Sequence, residues 1–176
     1  RRPAARAGVR TLLNPAPANA DCPRELLAVA DVLTPNEPEF AALLSRHAHE
    51  ELDADALATL AAARLHRLCR ILLPRGTVVV TLGAAGCFVS HREDTTRGDE
   101  RDHYRVAGER VEAIDTTGAG DAFNGALAAS MALGSDSAFE QHVRFATRYA
   151  ALSTEREGAA AAMPMRDALE RRFTEA

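Results

Sequence analysis

The stretch "GTVVVTLG" constrains the fold of this chain more than any other. Its β-branched run, Thr77–Thr81, is too short for a helix and apolar at consecutive positions, as in a strand buried on both faces of a sheet. Before it, "DADALATLAAARLHRLCRILL" places Leu57, Leu60, Ala61, Leu65, Leu68 and Leu72 at helical spacing, which predicts one long helix. The same alternation extends in both directions. Short strands are expected over 10–13 and Val32–Leu33, with a short helix between them. A helix follows from "EPEFAALLSR", where Pro38 is tolerated in the first turn. Beyond the buried run come a returning strand at Cys87–Ser90, a polar surface loop "REDTTRGDERD", and one or two strands within 106–114. The remainder, 137–176, is helical in composition with breaks near Gly158 and Pro164. Strands alternating with helices imply a layered α/β fold with a mainly parallel sheet.

The 176 residues suffice for one domain with a core. The net charge is −4 with signs interspersed, which argues against a nucleic-acid partner. All 21 basic residues are arginine, so P-loop and Schiff-base chemistry, which need lysine, are excluded. No apolar run is long enough for a bilayer, and the basic start "RRPAARAGVRT" leads into no signal-peptide core. The expectation is a soluble, cytoplasmic protein without a membrane partner. Cys22, Cys69 and Cys87 form no CxxC pair and read as reduced, packed thiols. His47, His49, His66, His91, His103 and His142 are scattered and read as surface or packing residues rather than metal ligands.

One short motif carries chemistry. In "DTTGAGDAFNGAL" a Gly-Ala-Gly turn runs into an apolar helix. Amides at a helix start lack internal partners and, with the helix dipole, attract anions. Glycines let the backbone approach an anion closely. Gly118, Ala119 and Gly120 can therefore form a cup of amides for a phosphate. Asp121, beside that cup, can take the proton of an attacking hydroxyl. The alternative is plain helix capping and a turn.

The same motif resembles the C-terminal signature of the ribokinase-like (pfkB) carbohydrate kinases. Three further stretches agree in the family's order: "LLNPAPA", "LTPNEPE" and "VVVTLGAAG". The resemblance spans nearly the whole chain. It corresponds to the C-terminal, nucleotide-binding and catalytic portion of a single kinase domain, residues 1–176. The glycine-rich N-terminal sugar-binding region and the β-lid of the family are not in this sequence, so this portion alone is expected to be inactive. The lid commonly mediates family dimers, so a homodimer is an expectation for the full-length protein only.

The resemblance implies ATP-dependent phosphorylation of a sugar hydroxyl, D-ribose to D-ribose 5-phosphate, with Mg²⁺ and with K⁺ as activating cation. A fructokinase or nucleoside kinase of the same fold, or a non-catalytic nucleotide-binding remnant, stands as the alternative. Asp121 is implied as the base and as a sugar contact, with Gly118, Ala119, Gly120 and Asp121 as the anion hole. The implied ATP contacts are Asn36, Thr81, Leu82, Gly83, Ala84, Ala85, Gly86, Gly120, Asp121 and Thr147. Glu39 is implied to act on Mg²⁺ through water, consistent with an ion that keeps several waters. Asp115, Thr117, Ser153, Arg156 and Gly158 are implied to hold K⁺. Two positions depart from the family: Ala162 stands where serine is usual, and Thr147 where His or Asn is common. From the residues alone, Asn36 and Glu39 could equally begin a helix after Pro35.

Overall fold

The computed structural model describes residues 7–18, 21–134 and 136–173. They form two compact units, one drawn from 7–83, 87–96 and 100–105, the other from 84–86, 97–99 and 106–173.

The first unit carries a five-stranded sheet in the order β1 (Leu12–Leu13), β2 (Val32–Leu33), β3 (Thr77–Thr81), β4 (Cys87–Ser90) and β5 (His103–Val106). The pairs β1–β2 and β2–β3 are parallel and β3–β4 is antiparallel. The mainly parallel α/β expectation therefore holds. The buried run behaves as its composition requires: Thr77, Val78, Val79 and Val80 are all buried. Leu33, Val78, Val80 and Phe88 join Phe40 and Leu44 of helix α2 (Glu37–Ala48) and Leu65, Leu68 and Leu72 of helix α3 (Ala62–Leu72) in one apolar core. Helix α1 (Arg24–Leu27) contributes Leu27.

Two expectations need correction. The long helix is broken: Ala54–Thr59 is a 3₁₀ turn, and Leu60 and Ala61 are extended before α3 begins. Arg105 supplies the reason, because its guanidinium donates to the Leu60 carbonyl at 2.8 Å and the Leu57 carbonyl at 3.5 Å. The carbonyls that a continuous helix would use internally are held from another strand. Likewise 107–114 contains no strand. The amides of Ile114 and Asp115 donate instead to the Thr154 carbonyl, at 2.7 and 3.1 Å.

The second unit is built on α4 (Ala119–Leu133) and α5 (Phe139–Ser153), which pack on each other, with α6 (Arg166–Phe173) against α5. The polar loop before β5 is not wholly surface. Asp99 is buried, and its Oδ1 accepts from the Glu140 amide at 2.8 Å, capping the start of α5. All three cysteines are free and buried, and burial pushes the Cys69 thiol up to about 12. No helix of the described residues is long and apolar enough to cross a membrane.

Candidate active site

The Gly-Ala-Gly-Asp turn folds as the start of α4. Gly118 is the N-cap, with φ of 80°, a left-handed conformation that favours glycine. It offers no side chain to cap the amides behind it. Of the four proposed anion-hole residues, Ala119 has its amide turned back to the Thr116 carbonyl at 3.2 Å. The amides of Gly118, Gly120 and Asp121 have no partner inside the helix, by the geometry of any helix start. A Cβ on Gly118 would lie 3.0 Å from Ala159 Cβ, whereas one on Gly120 would meet nothing within 4 Å. Gly120 therefore faces open space and Gly118 faces packed chain.

Asp121 occupies the third position of the helix, in its acidic first turn, and is exposed. It also lines a groove of about 810 Å³ along α4 and α5 whose wall includes Gly125, Phe145, Tyr149 and Met163. The spacing of "GAGD" gave no signal for Phe145, Tyr149 or Met163, which reach the groove through helix packing.

Asp115 ties this turn to a distant loop. Its Oδ1 accepts from the Thr117 amide and its Oδ2 from the Gly158 amide, both at 2.9 Å. Three of the residues implied for K⁺ are thereby brought together. Ser153 is buried with its hydroxyl donating to the Ala150 carbonyl at 2.7 Å. Its side chain serves its own helix, leaving the main chain for any cation. Ala162, the residue in place of serine, is buried in a 3₁₀ turn.

Bonds from Thr117 and then Gly158 hold the Asp115 carboxyl below its ordinary value of 3.8. A carboxylate depressed in the folded state contributes stability above its unfolded pKa and loses it as pH falls through the folded one. Asp115→Asn is therefore expected to melt below the parent at neutral pH, with the gap closing as pH drops below 3.8. Thermal melts across that range, followed by circular dichroism, check it; a gap independent of pH would remove ionisation as the cause.

In the first unit, Asn36 and Glu39 form a reciprocal cap on α2. Asn36 Oδ1 accepts from the Glu39 amide and Glu39 Oε2 from the Asn36 amide, both at 2.9 Å. The helix-start reading of these residues is thus realised. It engages one carboxylate oxygen of Glu39 and leaves the side-chain nitrogen of Asn36, Nδ2, outside the cap. The Thr81 amide donates to the Pro35 carbonyl at 2.9 Å, so the end of β3 adjoins this cap. Leu82 is buried, and Gly83, Ala84 and Ala85 form an exposed 3₁₀ turn. Gly86, with φ of 93°, closes it.

Thr147 is buried on α5, and its hydroxyl donates to the Val143 carbonyl at 2.9 Å. Arg156 lies in the loop after α5, two residues before Gly158 in sequence.

Comparisons with known proteins bear on the family and the fold. The family model described as pfkB family carbohydrate kinase matches residues 2–166. The chain is 38% identical to a ribokinase of Haemophilus influenzae, over 90% of this chain and 45% of that protein. A ribokinase structure from Thermotoga maritima superposes with a TM-score of 0.75 at 30% identity, covering 97% of this chain and 51% of that one. A ribokinase of Arabidopsis thaliana in complex with ribose and ATP superposes with a TM-score of 0.68 at 29% identity, over 94% of this chain and 48% of that one. The chain spans about half the length of the relatives it matches, and shares their α/β ribokinase fold. With nearly its whole length matched by the family model, the chain belongs to the pfkB family of carbohydrate kinases.

Proposed function

We propose that the protein containing this chain transfers the terminal phosphoryl group of ATP to D-ribose, giving D-ribose 5-phosphate. One observation carries the mechanism: an exposed carboxylate, Asp121, stands in the first turn of α4 behind a left-handed glycine that leaves the helix amides uncapped. Asp121 takes the proton of the sugar hydroxyl as its oxygen attacks phosphorus. The amides of Gly118, Gly120 and Asp121 face the negative charge on the phosphoryl oxygens. Asn36, Thr81, Leu82, Gly83, Ala84, Ala85 and Gly86 line the nucleotide's side of the reaction. Thr147, whose hydroxyl hydrogen is used within its own helix, stands on the side of the base.

The residues present fit both ions used in such chemistry. The Glu39 carboxylate oxygen outside the α2 cap suits a magnesium ion that keeps its waters. Mg²⁺ supplies charge neutralisation on the phosphates. Asp115, with carbonyls of Thr117, Ser153, Arg156 and Gly158, offers the all-oxygen donors that K⁺ takes. The hydrogen bonds that Asp115 accepts from the Thr117 and Gly158 amides already hold that loop in place, so its substitution by alanine is expected to weaken potassium activation too.

The ribose reading rests on relatives that are named ribokinases. It is tested by ADP release from the full-length protein with ribose, fructose and adenosine in turn. Ribose-dependent release supports it. Release only with fructose or adenosine transfers the assignment to a fructokinase or nucleoside kinase, and none with any sugar leaves a nucleotide-binding remnant.

Gly120 separates function from folding. A methyl group there meets nothing within 4 Å of this chain, and alanine is the better helix former by up to about 1 kcal/mol. Gly120→Ala is expected to keep or raise the melting temperature while lowering kcat by roughly tenfold or more, because the methyl group keeps the phosphate off the amides. Melting curves beside steady-state rates check this. Unchanged kinetics would put the phosphate elsewhere.

A further inference from the structure

Away from the kinase site, the first unit brings together three side chains that the sequence scatters. His66 lies on α3, Asp102 precedes β5 and His103 begins it. Each offers one ligand atom, and these atoms lie within 4.8 Å of one another. His103 Nδ1 is 2.7 Å from Asp102 Oδ1. His66 Nε2 is 3.7 Å from Asp102 Oδ2, too long for a hydrogen bond. The two imidazoles stack with centroids 4.5 Å apart.

The surroundings fix the direction of His66. Ser90 Oγ, at the end of β4, lies 2.9 Å from His66 Nδ1, so the other nitrogen, Nε2, turns to the carboxylate. Ser90 is in turn held by Arg70, whose Nε donates to its Oγ at 3.1 Å and whose remaining nitrogens donate to the carbonyls of Ser90 and Gly76. A ligating imidazole oriented by a bond to its second nitrogen is the usual support of a metal site.

We propose that His66, Asp102 and His103 bind a divalent transition metal of the zinc class, with a fourth position open to solvent. Two imidazoles and one carboxylate suit zinc, cobalt or nickel, whereas magnesium and calcium prefer all-oxygen sets. Bonds of about 2.0–2.1 Å place tetrahedral ligand atoms roughly 3.3 Å apart. Displacements of the ligand atoms on the order of 1 Å close the cluster to that geometry. All three residues are partly exposed, so the ion has a path in. Bound there, it would fasten α3 to the strand β5 within the first unit. The proposal is independent of the kinase reading, because none of its residues belongs to that site.

The test is a competition titration of the intact protein with zinc against a chromophoric chelator, beside His66→Gln, Asp102→Asn and Ser90→Ala. The expected result is one tight zinc per chain, weakened on the order of 100-fold by either ligand variant and about tenfold by Ser90→Ala. Cobalt substitution of the unaltered protein gives a readout that does not depend on variant folding: paramagnetically shifted signals from two imidazoles. Absence of tight zinc, zinc binding unchanged in the ligand variants, or a thiolate-to-cobalt charge-transfer band would each overturn the proposal.

Discussion

Asp121→Asn in the full-length protein is expected to keep ATP binding and to lose ~10²–10⁴-fold in kcat, the usual contribution of a general base. The substitution isolates the chemistry because it is nearly isosteric and the side chain is exposed. An asparagine at the third helical position loses only the attraction between a carboxylate and the helix dipole, about 0.3–1 kcal/mol. If Asp121 were only a helix-start residue, the variant would show that small loss of stability and an unaltered rate. If it is the base, the rate falls steeply while the melting temperature hardly moves. Nucleotide affinity, measured by isothermal titration, should stay close to that of the parent, since the amides that face the phosphates are unaltered. A near-normal kcat would remove Asp121 from the reaction.

What the sequence disclosed here was what is decided locally. A run of β-branched residues belongs in the interior, and Thr77, Val78, Val79 and Val80 are buried there. An asparagine followed three residues on by glutamate signals a helix start, and Asn36 with Glu39 makes one. The glycine before α4 takes the left-handed conformation that its turn requires. The features that escaped are those decided by partners distant in sequence. The break before α3 depends on Arg105, 45 residues beyond Leu60. The start of α5 depends on Asp99, 41 residues before Glu140, in a stretch polar enough to read as surface. The bond from Asp115 to Gly158 spans 43 residues, and only the family resemblance put the two in one set. Neither periodicity nor spacing could have gathered His66, Asp102 and His103, because a strand and a helix meet there through the packing of the core beneath.

Gly86→Ala is the substitution expected to damage the fold most, and the cause is backbone rather than side chain. A Cβ on Gly86 would lie 2.1 Å from the Val106 carbonyl oxygen, 2.4 Å from the Gly108 nitrogen and 2.6 Å from the Ala107 carbonyl carbon. Gly108 meets the same constraint from the other side, its Cβ falling 2.2 Å from the Ala84 carbonyl oxygen. The two main chains touch where both residues lack side chains, so no rotamer change makes room and one chain must move. The φ of 93° at Gly86 adds its own penalty for any other residue. Left-handed strain of about 1–3 kcal/mol and overpacking of about 1–3 kcal/mol together take a large share of a typical stability of about 5–15 kcal/mol. The melting temperature should fall by roughly 10 °C, with loss of soluble protein. Gly83→Ala, in the same turn, is the matched control: its φ is 52° but a Cβ there meets nothing within 4 Å. It bears only the left-handed cost of about 1–2 kcal/mol, so its melting temperature should fall by less than half as much. Equal losses at the two positions would mean that conformation alone, and not the approach of the two main chains, dictates glycine at Gly86.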